Sequence, residues 1–454
     1  MVAAHEFDDA VKKHVRDLEG DLRRLSMSIH DQPELGWNEH HAHQVLTDFM
    51  EAQQGFSVTR HAYDLETAWS AVFTSSATDP EDQDVPTIGF NSEMDALKSG
   101  HACGHNLIAI SGCASAVATA RTLEDFGLPG RVVLLGTPAE EGGGGKAIML
   151  ERGAYKGMDA CLMLHPGGGS RSGQHGAGII TSNCISGVVA TFKGRSSHAG
   201  ATPEHAINAL DAAFVAYSAI SALRQQLPPG IKVHGIINGS DQWSPNVIPS
   251  SAEMIYGMRA ESASALAELI PRVLRCFEGA ATATGCSYTL EQKHLYLDLR
   301  QCAPLAEAFA QAARRCWHDE GDVGETYEVE MHAKTGASTD FGNVSHVLPA
   351  LHPMFSLPEA GPGDHPHSDS YVKTTALPSS HEATLRASAA LALVALAVLT
   401  SADLRDEMRR KWSEDLKASH AEGTVKQLYS VLPGKANIHH GSAGKNGSAQ
   451  NGCC

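Results

Sequence analysis

The sequence predicts an α/β chain: a mostly parallel sheet with helices on both faces, interrupted by a smaller α+β module. Three observations carry this expectation. Short apolar runs in the first half alternate with helical patterns, the strand–helix–strand order of a parallel sheet. Near residue 185 the order changes to β-α-β-β-α, which suits a small inserted module. A length of 454 residues is also more than one hydrophobic core normally serves, so two domains are the natural expectation.

The elements follow in order. "VPTIGF" (85–90), "RVVLLGTP" (131–138) and "ACLMLH" (160–165) read as buried strands. Between the first two, "NLIAISGCASAVATARTLEDFG" (106–127) reads as a helix of small residues packed closely on the sheet. "GVVATFKG" (187–194) alternates like a half-exposed strand, and a long helix follows at 203–227. Strand-like runs at 232–239 and 252–260 come next, then a helix at 262–283. "PLAEAFAQAARRCW" (304–317) resumes helices suited to the first domain. "ASAALALVALAVLTSA" (387–402) is apolar over a stretch shorter than the roughly 20 residues of a membrane span. With charged flanks and much alanine, it reads as a buried helix. From about residue 431 the chain is Gly, Ser, Asn, Lys and His with little apolar content, the composition of a disordered tail.

Composition excludes some functions. Net charge is −17 and no block of Lys or Arg forms a basic patch, so nucleic acid is a poor partner. Ten cysteines are scattered without CxxC spacing, and the N-terminal stretch is charged and amphipathic rather than signal-like. Reduced thiols in a cytoplasmic protein are expected, with no membrane partner. The terminal Cys453–Cys454 pair lacks the upstream context of a lipidation site. Twenty-five histidines are more than packing needs, so some are expected to do chemistry.

That chemistry collects at strand ends. "GHACGH" follows the first buried strand, "AEEGGGGK" the second, and "HPGG" the third. Ligand sites in open parallel sheets form at the carboxyl ends of strands. Three strands thus deliver Glu93, Asp95, His101, Cys103 and His105, then Glu140 and Glu141, then His165, to one edge. Thiolate, imidazole and carboxylate together are zinc-type ligands. Each piece alone has a plainer reading. "GHACGH" could be a structural clip or a glycine-rich turn, and paired glutamates are usually solvated. His165 alone would be an ordinary hydrogen-bonded histidine. "EEGGGGK" resembles a phosphate loop, but residue 147 is alanine where that loop needs Ser or Thr, and two carboxylates repel phosphate. A zinc finger lacks a second local ligand pair, and redox chemistry lacks a second nearby cysteine. Three chemical motifs at three successive strand ends outweigh the separate readings. The glutamate pair suggests a division of labour, one binding metal and its neighbour taking a proton from water.

The motifs "MDAL…GHACGHN", "GTPAEEGGGGK", "LHPGG", "SSHAGATPEHAINALDA", "PNVIPSSAEMIYGMRA" and "STDFGNVSHVLP" resemble the di-zinc aminoacylase and carboxypeptidase family of metallopeptidases. That family includes aminobenzoyl-glutamate and indole-acetyl-amino-acid hydrolases, and the likeness is greatest to its Xaa-Arg, or β-alanyl-lysine, dipeptidase branch. It runs from "IHDQPELGWNEH" (29–40) to about residue 400. The resemblance implies a zinc-exopeptidase-like catalytic domain with an inserted ferredoxin-like dimerisation or lid domain. The corresponding division is 1–186 and 299–412 for the catalytic domain, 187–298 for the insert, and 413–454 for a C-terminal extension.

Carried over residue by residue, Cys103, His105, Glu141 and His165 match metal ligands, and Glu140 matches the general base. The resemblance implies a late histidine ligand from "DHPHSDSY" (364–371), where the spacing to Tyr371 resembles the family's His-Thr-x-x-Tyr stretch and favours His367 over His365. Asp95 matches an acid that supports a metal ligand from behind. Glu93 stands where many relatives place a metal-binding histidine, which cysteine-bearing branches also lack. His198 matches a histidine that reaches into the partner subunit's site and stabilises the oxyanion. Asn246 and Arg259 match the pair that grips the substrate's free carboxylate. Asp340 either lines the site or caps a helix.

The resulting expectation is a metal-dependent amide hydrolase acting on a dipeptide or N-acyl amino acid with a free C-terminal carboxylate. It implies a homodimer through residues 187–298 and two divalent metal ions, zinc first with manganese or cobalt as alternatives. The same site could instead form amide bonds in a biosynthetic pathway. A non-catalytic binding or regulatory protein on this scaffold is the alternative of another class, and the intact Glu140 and ligand set argue against it.

Overall fold

The computed structural model describes residues 5–82, 84–167, 176–239, 243–317, 327–361 and 363–419, together with Gly423 and Leu428. Its strands in chain order are β1 (Phe56–Arg60), β2 (Trp69–Thr74), β3 (Thr87–Glu93), β4 (Arg131–Thr137), β5 (Ala160–Leu162), β6 (His165–Gly167) and β7 (Gly176–Thr181). They continue with β8 (Cys184–Lys193), β9 (Lys232–Asn238), β10 (Ser251–Ala260), β11 (Ser287–Tyr296), β12 (Glu328–Lys334), β13 (Ala350–Leu351) and β14 (Met354–Ser356).

The main sheet has the order β1-β2-β4-β3-β5-β13. Strands β4, β3, β5 and β13 pair in parallel, while β2 lies antiparallel to both β4 and β1. Successive side chains of a strand face opposite layers. Val132 and Leu134 of β4 accordingly join one apolar core with the helices Asp8–His30, His105–Phe126, Ala303–Trp317 and Pro378–Thr400. Val133 and Leu135 face the other, with Ile148, Met149, Phe341 and Val344. Helices therefore cover both faces. A second small sheet, β12-β7-β14-β6, extends this unit.

The inserted module is the sheet β11-β8-β10-β9, antiparallel throughout, with the helices Ala209–Arg224 and Ala263–Thr284 packed against it. Its chain order is β-α-β-β-α-β, the ferredoxin-like arrangement. The closing strand β11 was not evident from the sequence. The expected alternation of residues 187–194 is also absent: β8 is central and buried over most of its length. The two outer strands are β9 and β11.

Other boundaries move for identifiable reasons. The helix expected at 203–227 begins at Ala209, because Asn208 Oδ1 caps it by accepting from the Leu210 and Asp211 amides at 3.0 and 3.4 Å. Pro203–His205 forms only a short 3-10 turn before it. The apolar segment at 387–402 belongs to a longer helix, Pro378–Thr400, which is long and apolar enough to cross a membrane but has 89% of its most apolar window buried inside the protein. The division expected at 412/413 falls inside the helix Ala402–Ala418, started by Ser401 Oγ accepting from the Leu404 amide at 3.2 Å. The tail expected to be disordered from 431, with Cys453 and Cys454, lies outside the described residues.

Helix His105–Phe126 is rich in small residues, and its contact with β3 shows why. A Cβ on Gly112 would meet Ser92 Oγ at 2.4 Å and the Asn91 carbonyl oxygen at 2.6 Å. The helix carries the first ligand-type histidine, so its seating on β3 positions the site. Alanine is the better helix former by about 1 kcal/mol, yet Gly112→Ala should destabilise the protein by about 1–3 kcal/mol through overpacking. Chemical denaturation measures the sign; a stabilised variant would show that β3 and this helix can separate at no cost.

Candidate metal centre

The site forms where β3, β4 and β5 end. β3 delivers Glu93 and, just beyond it, Asp95; β4 leads to Glu140 and Glu141; His165 opens β6 shortly after β5. Cys103 precedes the helix that His105 begins. Cys103, His105 and His165 bring ligand atoms within 4.8 Å of one another. So do Cys103, Glu141 and His367, and so do His105, Glu140 and Glu141. The structure therefore gathers Cys103, His105, Glu140, Glu141, His165 and His367 in one place.

Hydrogen bonds decide which nitrogen of each imidazole faces the centre. His105 Nδ1 lies 3.1 Å from Asp95 Oδ1, and His165 Nδ1 lies 2.7 Å from the Pro166 carbonyl oxygen. Both partners accept, so both Nδ1 atoms donate and Nε2 is directed to the centre. His165 Nε2 is 3.4 Å from Cys103 Sγ, and His105 Nε2 is 3.4 Å from Glu93 Oε2 and 3.9 Å from Glu141 Oε1. His367 Nε2 lies 3.1 Å from Glu141 Oε1, while the exposed His365 turns its Nδ1 to the Pro366 carbonyl.

These residues fit a divalent ion. His105 Nε2 is buried and makes no hydrogen bond, with soft and hard donors around it. Burial opposes charge on His105, but Asp95, Glu93 and Glu141 raise its pKa well above the ordinary value, so a cation bound there would release a proton. Burial lowers the pKa of His165 and favours the neutral imidazole that a ligand needs.

The loop between β4 and the helix Gly145–Glu151 holds the glutamates in place. The Ala139 amide donates to Glu39 Oε1 at 2.7 Å, and the Glu141 amide to Asp95 Oδ2 at 2.9 Å. Tyr296 Oη donates to the Glu140 carbonyl at 2.7 Å and accepts from the Gly144 amide at 2.9 Å. Gly145 has to be glycine, since a Cβ there would meet the Pro138 carbonyl oxygen at 1.8 Å. Ala139 (φ 54°) and His367 (φ 75°) occupy left-handed backbone that non-glycine residues rarely adopt. Burial, then the Glu93, Glu141 and Asp340 carboxylates, hold the Glu140 carboxyl well above the usual range.

Other candidates lie elsewhere or act differently. His101 is buried away from the ligand groups, with Nε2 3.1 Å from the Ile29 carbonyl oxygen. Asp340 does not cap its own helix, Phe341–Ser345. It accepts instead from the Lys146 amide at 2.8 Å and from Lys146 Nζ at 2.6 Å. Glu93 pairs with the same ammonium at 2.6 Å. His198, Asn246 and Arg259 sit on the inserted module and belong to none of the ligand groups. His198 is exposed, and its Nδ1 accepts from the Gly200 and Ala201 amides at 3.2 and 3.1 Å, which leaves the proton on Nε2. Asn246 is exposed, with its carbonyl bonded to the Ala199 amide at 2.9 Å. Arg259 is buried and reaches from β10 to Ser338 Oγ at 3.0 Å.

Sequence reasoning missed Glu39, Lys146, Tyr296 and His352. Burial and the nearby Asp95 push the Glu39 carboxyl up to about 8. His352 packs its ring 5.8 Å from that of His165, and burial lowers its pKa to about 3. No spacing rule pairs these residues, because each reaches the site from a different part of the chain; Glu39 and Lys146 lie within quoted motifs, Tyr296 and His352 do not.

Residues 83–391 match Peptidase family M20/M25/M40. The chain is 36% identical over 433 residues to the Xaa-Arg dipeptidase of Mus musculus, covering 93% of this chain and 94% of the relative. The chain belongs to this peptidase family. It is accordingly a hydrolase of amide bonds. The Homo sapiens Xaa-Arg dipeptidase is 38% identical over 407 residues, with 87% of this chain and 88% of the relative covered. Among solved structures, a dinuclear metal-binding M20 peptidase from Bacillus subtilis superposes with a TM-score of 0.61 at 22% identity, covering 85% of this chain and 99% of that one. That likeness supports the fold.

Asp95 supports two members of the cluster at once, the His105 ring and the Glu141 amide. Asp95→Ala should weaken divalent-metal affinity about 10- to 100-fold, measured by competition with a chromophoric chelator. An unchanged affinity in a folded variant would remove Asp95 from the site.

Proposed function

We propose that the chain is a metal-dependent dipeptidase or N-acyl-amino-acid hydrolase whose substrates carry a free C-terminal carboxylate. The observation that carries this reading is the convergence of Cys103, His105, Glu141, His165 and His367 beside Glu140. The Xaa-Arg dipeptidases, at 36% and 38% identity, support dipeptides as the first substrates to examine. Cys103, His105, Glu141, His165 and His367 would hold up to two divalent ions, zinc by donor type and otherwise manganese or cobalt, which supply Lewis acidity when bound.

The chain's own groups then have separate tasks. Glu140 accepts a proton from the attacking water and returns it to the leaving amine. His198, with its proton on Nε2, donates to the oxyanion that forms on the attacked carbonyl. Arg259 and Asn246 take the terminal carboxylate, for which a guanidinium has the matching fork of donors. Cys113, Cys161, Cys184, Cys276, Cys286 and Cys302 form no disulfide, which favours a reducing compartment such as the cytoplasm.

His198 serves a second copy of the chain in this reading. The outer strand β9 exposes Ile236, and the neighbouring helix Ala209–Arg224 exposes Phe214, Val215 and Tyr217. An open edge beside an apolar helix face favours a twofold contact that covers both.

Dipeptides ending in Arg or Lys, and N-acyl amino acids, should be hydrolysed once zinc, manganese or cobalt is supplied, and their C-terminal amides poorly, as read by mass spectrometry. Glu140→Gln should retain metal while kcat falls by about 10² to 10⁴; near-normal turnover would transfer the base to another residue. Assembly has its own test. Mixing His198→Ala chains with Glu140→Gln chains should give mixed dimers with one intact site, restoring up to about a quarter of wild-type activity after random exchange. Proven exchange without recovery would mean that His198 does not act across subunits.

A further inference from the structure

The glycine run after Glu141 ends in Lys146, a residue to which the chemistry above gives no task. Lys146 is nevertheless fully buried, near the start of the helix Gly145–Glu151. Its Nζ lies 2.6 Å from Asp340 Oδ1 and 2.6 Å from Glu93 Oε1. Glu93, Glu140 and Asp340 bring their carboxylate oxygens within 4.8 Å of one another. These three side chains are respectively 1%, 6% and 0% exposed as residues, so water does not screen them.

Carboxylates at this spacing are ligands for a hard divalent cation. Buried together without a counter-charge they would repel one another and be strongly unfavourable. The chain supplies that charge itself, as a compact ammonium on a flexible stem. The pairing also fixes geometry. Glu93 turns its second oxygen to His105 Nε2 at 3.4 Å, and Asp340 anchors the Lys146 amide at 2.8 Å, directly after the loop that carries Glu140 and Glu141. A divalent ion in the same place would take Glu140 as a ligand and remove it from proton transfer.

We propose that Lys146 is the resident cation of the Glu93–Glu140–Asp340 cluster: its ammonium fills the place of a divalent ion and keeps metal out of that end of the site. Lys146 is a positioning residue, and the inference does not depend on which amide the enzyme cleaves.

Two substitutions separate charge from space. Lys146→Ala removes the ammonium and opens room for an ion, whereas Lys146→Met removes the charge but keeps the bulk. Full-length wild type and both variants are stripped with a chelator, titrated with Mn²⁺, and compared by elemental analysis and thermal unfolding. Lys146→Ala should bind about one equivalent more than wild type and gain more thermal stability from Mn²⁺. Lys146→Met should bind no more than wild type and be the less stable variant in Mn²⁺. Wild-type stoichiometry in Lys146→Ala, with no greater gain from Mn²⁺, overturns the proposal. A wild type that binds no Mn²⁺ would argue against the neighbouring metal centre but leave the difference between Lys146→Ala and wild type intact as the test. Should Lys146→Ala fail to fold with or without Mn²⁺, the double variant Lys146→Met/Asp340→Asn decides. It should unfold at a higher temperature than Lys146→Met, because a charge on each side has been removed; an equal or lower midpoint overturns the proposal.

Discussion

Negative charge buried at the ends of two adjacent parallel strands is the constraint on which the rest of this site depends. Glu39, Glu93, Asp95, Glu140 and Asp340 are all less than a tenth exposed. A buried carboxylate needs a hydrogen bond, a cation or a proton, and the chain uses all three. Glu39 accepts from the Ala139 amide and Thr67 Oγ1, both at 2.7 Å. Asp95 takes His105 and the Glu141 amide. Despite burial, the Lys146 ammonium and the His105 ring bring Glu93 down to about 2, while burial leaves Asp340 up at about 6 against the same ammonium. Burial and the neighbouring carboxylates raise Glu140 well above the usual range.

The same interactions shape the backbone. A loop containing four consecutive glycines would be expected to wander, yet this one is held by Glu39, Asp95, Tyr296 and Asp340 along its length. Left-handed backbone at Ala139 and His367 costs about 1–3 kcal/mol at each residue. It persists because the surrounding hydrogen bonds determine both conformations. The Ala139 amide is bonded to Glu39, and the His367 amide to the Ala102 carbonyl at 2.8 Å. Two of the six described non-glycine residues with positive φ therefore sit next to Glu140 and at His367.

The inserted module is joined to this loop. Tyr296 is the last residue of β11, and its hydroxyl ties that strand to both ends of the Glu140–Gly144 segment. Arg259, near the end of β10, reaches Ser338, two residues before Asp340. The module is thus packed on its own apolar core but bonded to the loop that carries Glu140 and Glu141.

The sequence by itself determined the layered α/β class, the inserted module, and the residues Cys103, His105, Glu140, Glu141, His165 and His367. The first five were legible because their motifs follow short apolar runs, and parallel strands bring such ends to one edge whatever the details of packing. His367 was expected over His365 from the family resemblance of the stretch before Tyr371, and it is His367 that clusters with Cys103 and Glu141. Tertiary structure alone decided the rest. Lys146 and Asp340 are 194 residues apart, and Tyr296 and Glu140 are 156 apart. No local period relates such partners; burial selects them, because charge removed from water must find its complement wherever the fold brings one. The strands β1, β2 and β11 were missed for a related reason, since pairing rather than local pattern makes them strands. Sequence named the groups that can do the chemistry, and folding chose their counter-ions and tautomers, because those depend on neighbours that only a packed interior supplies.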